Sequence, residues 1–204
     1  MELHKTYKNN KSLTDREITL KLLDNVEKEV NITQKSAAKK IGIAVGLVNT
    51  YIKRCIGKGW LKVKNIPAHR YAYYLTPEGF AKKSQLVTEY LTDSFKLFRE
   101  SKLSYQKIFT ECKNKKFSNI LLADVSDLTE IAYLVAANLD VEIKGVILKK
   151  KKEIRPYKIF TLSKLPKKTD AIIITSISDT NSYHKTLKKK FPKIKIYSPD
   201  FLKI

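Results

Sequence analysis

Apolar residues recur at helical spacing through the first quarter of the chain. In "LTDREITLKLLDNVEKE", Ile18, Leu22, Leu23 and Val26 share one face, and Thr14 or Asp15 stands where a side-chain oxygen caps the first amides. In "ITQKSAAKKIGI", Ala37, Ala38 and Ile41 share a face behind Thr33 as N-cap, and Gly42 supplies the sharp turn that ends the helix. "VGLVNTYIKRCIGKG" turns Val48, Ile52, Cys55 and Ile56 inward and leaves Gly46, Leu47, Thr50, Lys53 and Arg54 outward. The period then drops to two. "WLKVKNI" and "YAYYLT" alternate on either side of "PAHR", which predicts a hairpin with His69 and Arg70 at its tip. Thr76, Pro77 and Glu78 open another helix, as cap, first helical residue and carboxylate at the positive helix end.

After Gly79 neither glycine nor proline occurs until Gly145, and residues 80–112 fit a heptad. One seam position holds Phe80, Val87, Ser94, Ser101 and Ile108; the other holds Ser84, Leu91, Phe98, Tyr105 and Cys112. A long helix of this kind pairs with its copy in a two-fold homodimer; the competing arrangement packs it on its own core with a break near Ser101. From residue 113 apolar strands alternate with helices. "SNILLADV", "VEIKGVIL", "YKIFTL", "DAIIITSI" and "KIKIYSP" are the strand candidates. "DLTEIAYLVAANL", with Ile131, Leu134, Val135 and Leu139 on one side, and "TNSYHKTLKKKF" are the helices. The fold class is therefore α/β overall: an α+β winged helix over 1–79, a linking or dimerisation helix over 80–112, and a small parallel α/β, Rossmann-like domain over 113–204.

Charge adds a partner class. A formal net charge of +21 and a pI near 9.8 point to a polyanion such as nucleic acid. Lysine far outnumbers arginine, however, as an AT-rich genome also imposes. The balance is +10 over residues 1–111 and +11 over 112–204, so charge singles out neither half. Cys55 and Cys112 form no disulfide framework, and with His4, His69 and His184 they show no metal spacing. No apolar run approaches the roughly 18 residues of a membrane span, and "MELHKTYKNN" lacks a signal-peptide core. The expectation is a reduced, cytoplasmic protein with no membrane contact.

"SAAKKIGIAVGLVN", "KGWLKVKN" and "YYLTPEGFAKK" together resemble winged-helix regulators of the MarR-like type, in particular a group associated with exopolysaccharide and lipopolysaccharide gene clusters. The resemblance covers about Thr14 to Ser84. It implies a dimeric transcriptional regulator that reads double-stranded DNA. The candidate contacts are Gly46, Leu47, Thr50, Lys53 and Arg54 on the recognition helix and Lys62, Lys64, His69 and Arg70 on the wing. Ala44 is a departure, since a serine commonly caps the recognition helix there, and the missing cap weakens the helix start by about 1 kcal/mol.

The second half resembles, in pattern and not in motif, the CoA-binding or Rossmann-like domains of some sugar-modifying and redox-sensing proteins. Those folds place glycines after the first strand so that backbone amides reach a pyrophosphate. Here the segment is "ADVSDLTE". It has no glycine, Asp124 and Asp127 lie beside the phosphate position, and Asp127 with Glu130 fits a capping box. Lys149 to Lys152, after the second strand, suit a 2′-phosphate but not a ribose diol. No cofactor is therefore expected, and a pocket lined by Asp124, Ser126, Thr175, Ser176 and Ser178 remains for a different small-molecule effector. No GxSxG, GxxxxGK[ST], HExxH or Cys/His arrangement occurs, so no catalytic residue and no metal ligand is assigned. The function expected is DNA-binding regulation. The alternatives are an α/β nucleotide-binding enzyme or redox sensor carrying a winged helix, and a protein that binds RNA or the transcription machinery.

Overall fold

The computed structural model describes residues 13–29, 31–66, 70–150 and 152–203. Contacts divide the chain into two units, Met1–Ser94 and Phe95–Ile204.

The first unit starts with α1 (Asp15–Lys28), α2 (Gln34–Ile41) and α3 (Val45–Gly57). Thr14 caps α1 in a reciprocal box: its hydroxyl accepts from the Glu17 amide at 3.3 Å, and the Glu17 carboxylate accepts from the Thr14 amide at 2.7 Å. Thr33 accepts from the Ser36 amide at 3.1 Å, and Gly42 ends α2 at φ 84°, a conformation that costs glycine nothing. The apolar faces meet in one core of Ile18, Leu22, Leu23, Val26, Ala37, Ile41, Val48, Ile52 and Cys55. Strands β1 (Leu61–Ile66) and β2 (Arg70–Leu75) pair antiparallel, from Leu61 opposite Leu75 to Ile66 opposite Arg70. Residues 67–69 of the expected tip, His69 included, lie outside the described residues.

Thr76 then starts α4 (Pro77–Asn114), donating to the Gly59 carbonyl at 2.6 Å and accepting from the Gly79 amide at 2.9 Å. A side chain at Gly79 would bring its Cβ within 2.0 Å of the Trp60 carbonyl, so only glycine allows this approach. Lys83 holds the start of α4 to α1 through Asp24 at 3.0 Å and through Glu27.

The second unit takes in the rest of α4, followed by β3 (Ile120–Ala123), α5 (Asp127–Asn138), β4 (Ile143–Leu148), β5 (Ile159–Thr161), β6 (Ala171–Ile174), α6 (Thr180–Lys190), β7 (Lys195–Tyr197) and a 3₁₀ turn, Asp200–Leu202. The five strands are all parallel in the order β5-β4-β3-β6-β7. The order changes direction beside β3, where doubly wound sheets open a crevice at the strand ends. Alternation divides β3 between two layers. Ile120 and Leu122 pack with Tyr105, Phe109 and Cys112 of α4 and with α5, while Leu121 and Ala123 face Tyr183 and Leu187 of α6. The chain is thus mixed α/β, with an N-terminal winged helix and a C-terminal parallel sheet. Among the described residues no helix is long and apolar enough to cross a membrane.

Four expectations need correction. The heptad reading treated 101, 105, 108 and 112 as seam positions, yet Ser101, Tyr105, Ile108 and Cys112 are buried in the chain's own second unit. α4 also runs through Ser101 without a break. The box at the start of α5 is Ser126 with Thr129, not Asp127 with Glu130, because the chain enters the helix one residue earlier. On α5 the inward face is Leu128, Ala132, Val135 and Ala136, and Leu134 is 51% exposed.

Candidate nucleic-acid interface

α3 is fixed from behind. Val48, Ile52 and Cys55 are buried, and burial pushes the Cys55 thiol up to about 11. Gln34 at the head of α2 donates to the Tyr73 hydroxyl at 3.1 Å and to Asn49 at 3.4 Å, linking α2, α3 and β2. With its inward side pinned, α3 presents Gly46, Leu47, Thr50, Lys53 and Arg54 to solvent, all five exposed. Ala44 precedes the helix without a side-chain cap, as its methyl group requires. Thr50 donates to the Gly46 carbonyl at 3.1 Å, which keeps acceptor lone pairs available on the hydroxyl. Lys53 has no ion pair among the described residues, so its charge is available to a phosphate.

Arg54 is different. Its guanidinium donates to Asp15 at 2.8 Å, and the Tyr51 hydroxyl donates to the other oxygen of the same carboxylate. These two donors, Tyr51 first, hold the Asp15 carboxyl below the ordinary carboxylate range. The Tyr51 phenol and Arg54 are held correspondingly above theirs by the Asp15 hydrogen bond. Asp15 is therefore ionised at neutral pH, and it competes with any phosphate for Arg54 in an exposed pair of low intrinsic strength. Asp15→Asn is expected to tighten duplex binding and to steepen its salt dependence by up to about one ion. Anisotropy titration at several salt concentrations reads both, and an unchanged or weaker affinity would show that Arg54 does not meet the duplex.

On the hairpin, Lys62 and Lys64 are exposed on β1, with Lys62 opposite Tyr74 and Lys64 opposite Ala72. Arg70 begins β2. At the base of the hairpin the Lys58 and Lys82 ammonium groups lie 5.5 and 5.6 Å from the centre of the Trp60 ring.

The second candidate site also assembles, but its groups are turned toward one another. Asp124 occupies the position after β3 with φ 83°, a backbone geometry that glycine would usually supply. Its carboxylate accepts from the Val125 amide and the Ser176 hydroxyl, both at 2.9 Å, and its carbonyl accepts from Thr129 and Thr175 at 2.9 and 2.7 Å. Ser126 donates to the Thr175 carbonyl while accepting from the Leu128 amide at 3.1 Å. Ser126, Thr175 and Ser176 are buried; Ser178 is exposed and joins only through its carbonyl, 2.7 Å from the Ser176 hydroxyl. The α5 amide that a phosphate would use is taken by Ser126. Lys149 bonds Asp179 at 2.9 Å and lies 4.9 Å from the centre of the Tyr183 ring. Lys151 lies outside the described residues.

Several of these groups were invisible to periodicity. The Asp15–Arg54 pair spans 39 positions, and the Ser176–Asp124 bond spans 52. No local signal marks either.

A family model described as winged helix-turn-helix DNA-binding matches residues 15–62, which run from α1 through α3 into β1. No curated protein matches the chain. Among solved structures, the chain is similar to the crystal structure of MepR, a transcription regulator of the Staphylococcus aureus multidrug efflux pump MepA. The identity is 15%, the match covers 52% of this chain and 76% of that one, and the TM-score is 0.36.

Proposed function

We propose that the chain is a double-stranded DNA-binding transcriptional regulator that works as a homodimer. The observation that carries this reading is the outward face of α3. A rigidly backed helix, inside a segment matching a winged helix-turn-helix DNA-binding family, exposes small residues at its start and Lys53 and Arg54 further along. Thr50, Lys53 and Arg54 meet the major groove, with Gly46 and Leu47 close to the backbone. Lys62 and Lys64 add phosphate contacts from the hairpin, whose second strand begins at Arg70.

Dimerisation is supported by the exposed apolar residues of α4. Val87, Tyr90, Leu91, Phe95 and Phe98 lie in solvent in the single chain, more apolar surface than an isolated helix keeps without a partner. A second copy of α4 is the self-complementary cover for them. The C-terminal unit, Rossmann-like in strand order, serves as a scaffold for assembly: the groups around Asp124 bond one another, and side chains stand where a pyrophosphate needs bare backbone.

Replacing Lys53 and Arg54 together by alanine is expected to lower duplex affinity about tenfold or more and to flatten the salt dependence by about two ions, less whatever Asp15 already withholds from Arg54. Selection of genomic fragments on the full-length protein supplies the duplex. If affinity and salt slope both match the parent, α3 is not the reading element.

A further inference from the structure

The lysines of the second unit are unevenly placed. α5 carries Asp127 and Glu130 and no lysine, whereas residues 180–199 contain six lysines and neither aspartate nor glutamate. A genome-wide preference for lysine raises all helices alike and does not produce this contrast. On α6, Tyr183 and Leu187 are buried against the sheet, which turns Lys185, Lys188 and Lys189 outward, and all three are exposed. They are neighbours at i, i+3 and i+4, a spacing at which like charges oppose helix formation. The negative end of the helix accounts for lysines in the last turn. It does not account for Lys185, one turn earlier, or for exposed Lys193, beyond the helix.

Elsewhere in this unit some lysines have carboxylate partners: Lys96 with Glu100, Lys107 with Asp200, Lys115 with Glu111, Lys144 with Glu142 and Lys149 with Asp179. Others, Lys102, Lys116, Lys164 and Lys167 among them, form no ion pair among the described residues, so what marks the α6 lysines is their clustering on one face. Among the described residues no such partner serves Lys185, Lys188, Lys189 or Lys193. Lys195 is set apart, since its ammonium lies over the Tyr197 ring and close to Glu111, on the α4 side of the sheet. What remains is a cationic surface with one sign of charge, flexible ammonium groups and exposed Asn181 as a neutral donor. Such a surface suits a row of phosphates. It offers none of the planar guanidinium forks that read base edges.

We propose that the lysine face of α6, Lys185, Lys188 and Lys189 with Lys193, is a second, sequence-independent contact for the phosphate backbone of duplex DNA. The choice of DNA as the polyanion rests on the function proposed for α3; the surface itself does not. Each lysine that neutralises a phosphate releases condensed counterions, so the contact registers as salt dependence and not as sequence preference.

The test uses full-length protein in four forms: parent, Lys185→Gln/Lys188→Gln/Lys189→Gln, Lys53→Ala/Arg54→Ala, and the combination. Log affinity is followed against log salt on the selected duplex and on a scrambled one. The α6 variant is expected to flatten the slope by about two to three on both duplexes, adding to the effect at α3 because the contacts are separate. The corresponding lysine-to-arginine variant should keep the parental slope. Circular dichroism confirms folding; should the triple variant unfold, Lys185→Gln alone must flatten the slope by about one. Parental affinity and slope in a folded α6 variant would overturn the proposal. An effect at α6 with none at Lys53 and Arg54 would leave this contact standing while removing α3 as the reading element.

Discussion

Glutamate at both Leu91 and Phe98 is expected to turn a dimer into monomers and to lower affinity for a duplex carrying two half-sites by about 10²- to 10⁴-fold. The two positions are seven apart on α4, so they share a stripe, and they are 46% and 39% exposed in the single chain. The substitution therefore removes little that the monomer's own cores use. In the two-fold pair the same carboxylates would be buried against their symmetry mates, without counter-charge, at a cost that burial of an unpaired ion makes prohibitive. Once the subunits separate, the second α3 no longer binds at the high effective concentration set by the first. Light scattering reads the oligomer and anisotropy the affinity. A parent protein that is monomeric at high micromolar concentration would remove the premise, and a double-glutamate variant that stays dimeric would move the interface off this stripe.

The same helix shows where sequence patterning stops being informative. A heptad stripe and a helix laid on a sheet both require an apolar residue every three or four positions, and α4 contains one after the other. Leu91 and Phe98 are open, whereas Tyr105, Ile108 and Cys112 continue the stripe and are buried under the parallel sheet. Nothing local separates the two, because the difference lies in β3 and β6, which arrive later in the chain. The elements of the first unit were legible for the opposite reason. Thr14, Thr33, Gly42, Thr76 and Pro77 act on amides and carbonyls within a few residues of themselves, so spacing alone locates them. The parallel strands were legible as short, continuously apolar runs such as "AIII".

The candidate sites divide in the same way. That Lys53 and Arg54 point outward follows from the face opposite Val48 and Ile52. That Arg54 is shared with Asp15 and Tyr51 follows only from α1 packing on α3. At the strand ends, the missing glycines could be read as hostile to a pyrophosphate. The positive φ of Asp124 and the closed set of bonds to Thr129, Thr175 and Ser176 needed the fold. Asp124 is the more informative case, since the backbone keeps the geometry of a glycine turn while the side chain fills the space that glycine would have left to a ligand.

Gly145→Ala is expected to destabilise the second unit by about 2–4 kcal/mol, combining a disallowed backbone with a steric clash. Gly145 sits in β4 at φ 153°, where the ladder to β3 slips: Ile120 faces Ile143, the next pair is Leu121 with Gly145, and Lys144 is left over. An added Cβ would lie 2.4 Å from the Lys158 carbonyl and 2.7 Å from the Phe160 ring. That carbonyl cannot retreat freely, because it accepts from the Val146 amide at 2.9 Å as β5 joins the sheet. Relief would require β5 to peel from the edge, breaking its pairing with Val146, Ile147 and Leu148 of β4. Gly46→Ala is the matched control, since a Cβ there meets nothing within 4 Å, and alanine in a helix gains roughly 0.5–1 kcal/mol over glycine. Denaturant unfolding followed by circular dichroism should move the two midpoints in opposite directions. An unchanged midpoint for Gly145→Ala would mean that β5 yields without cost, and the edge of the sheet would then be far softer than its buried neighbours β3 and β6.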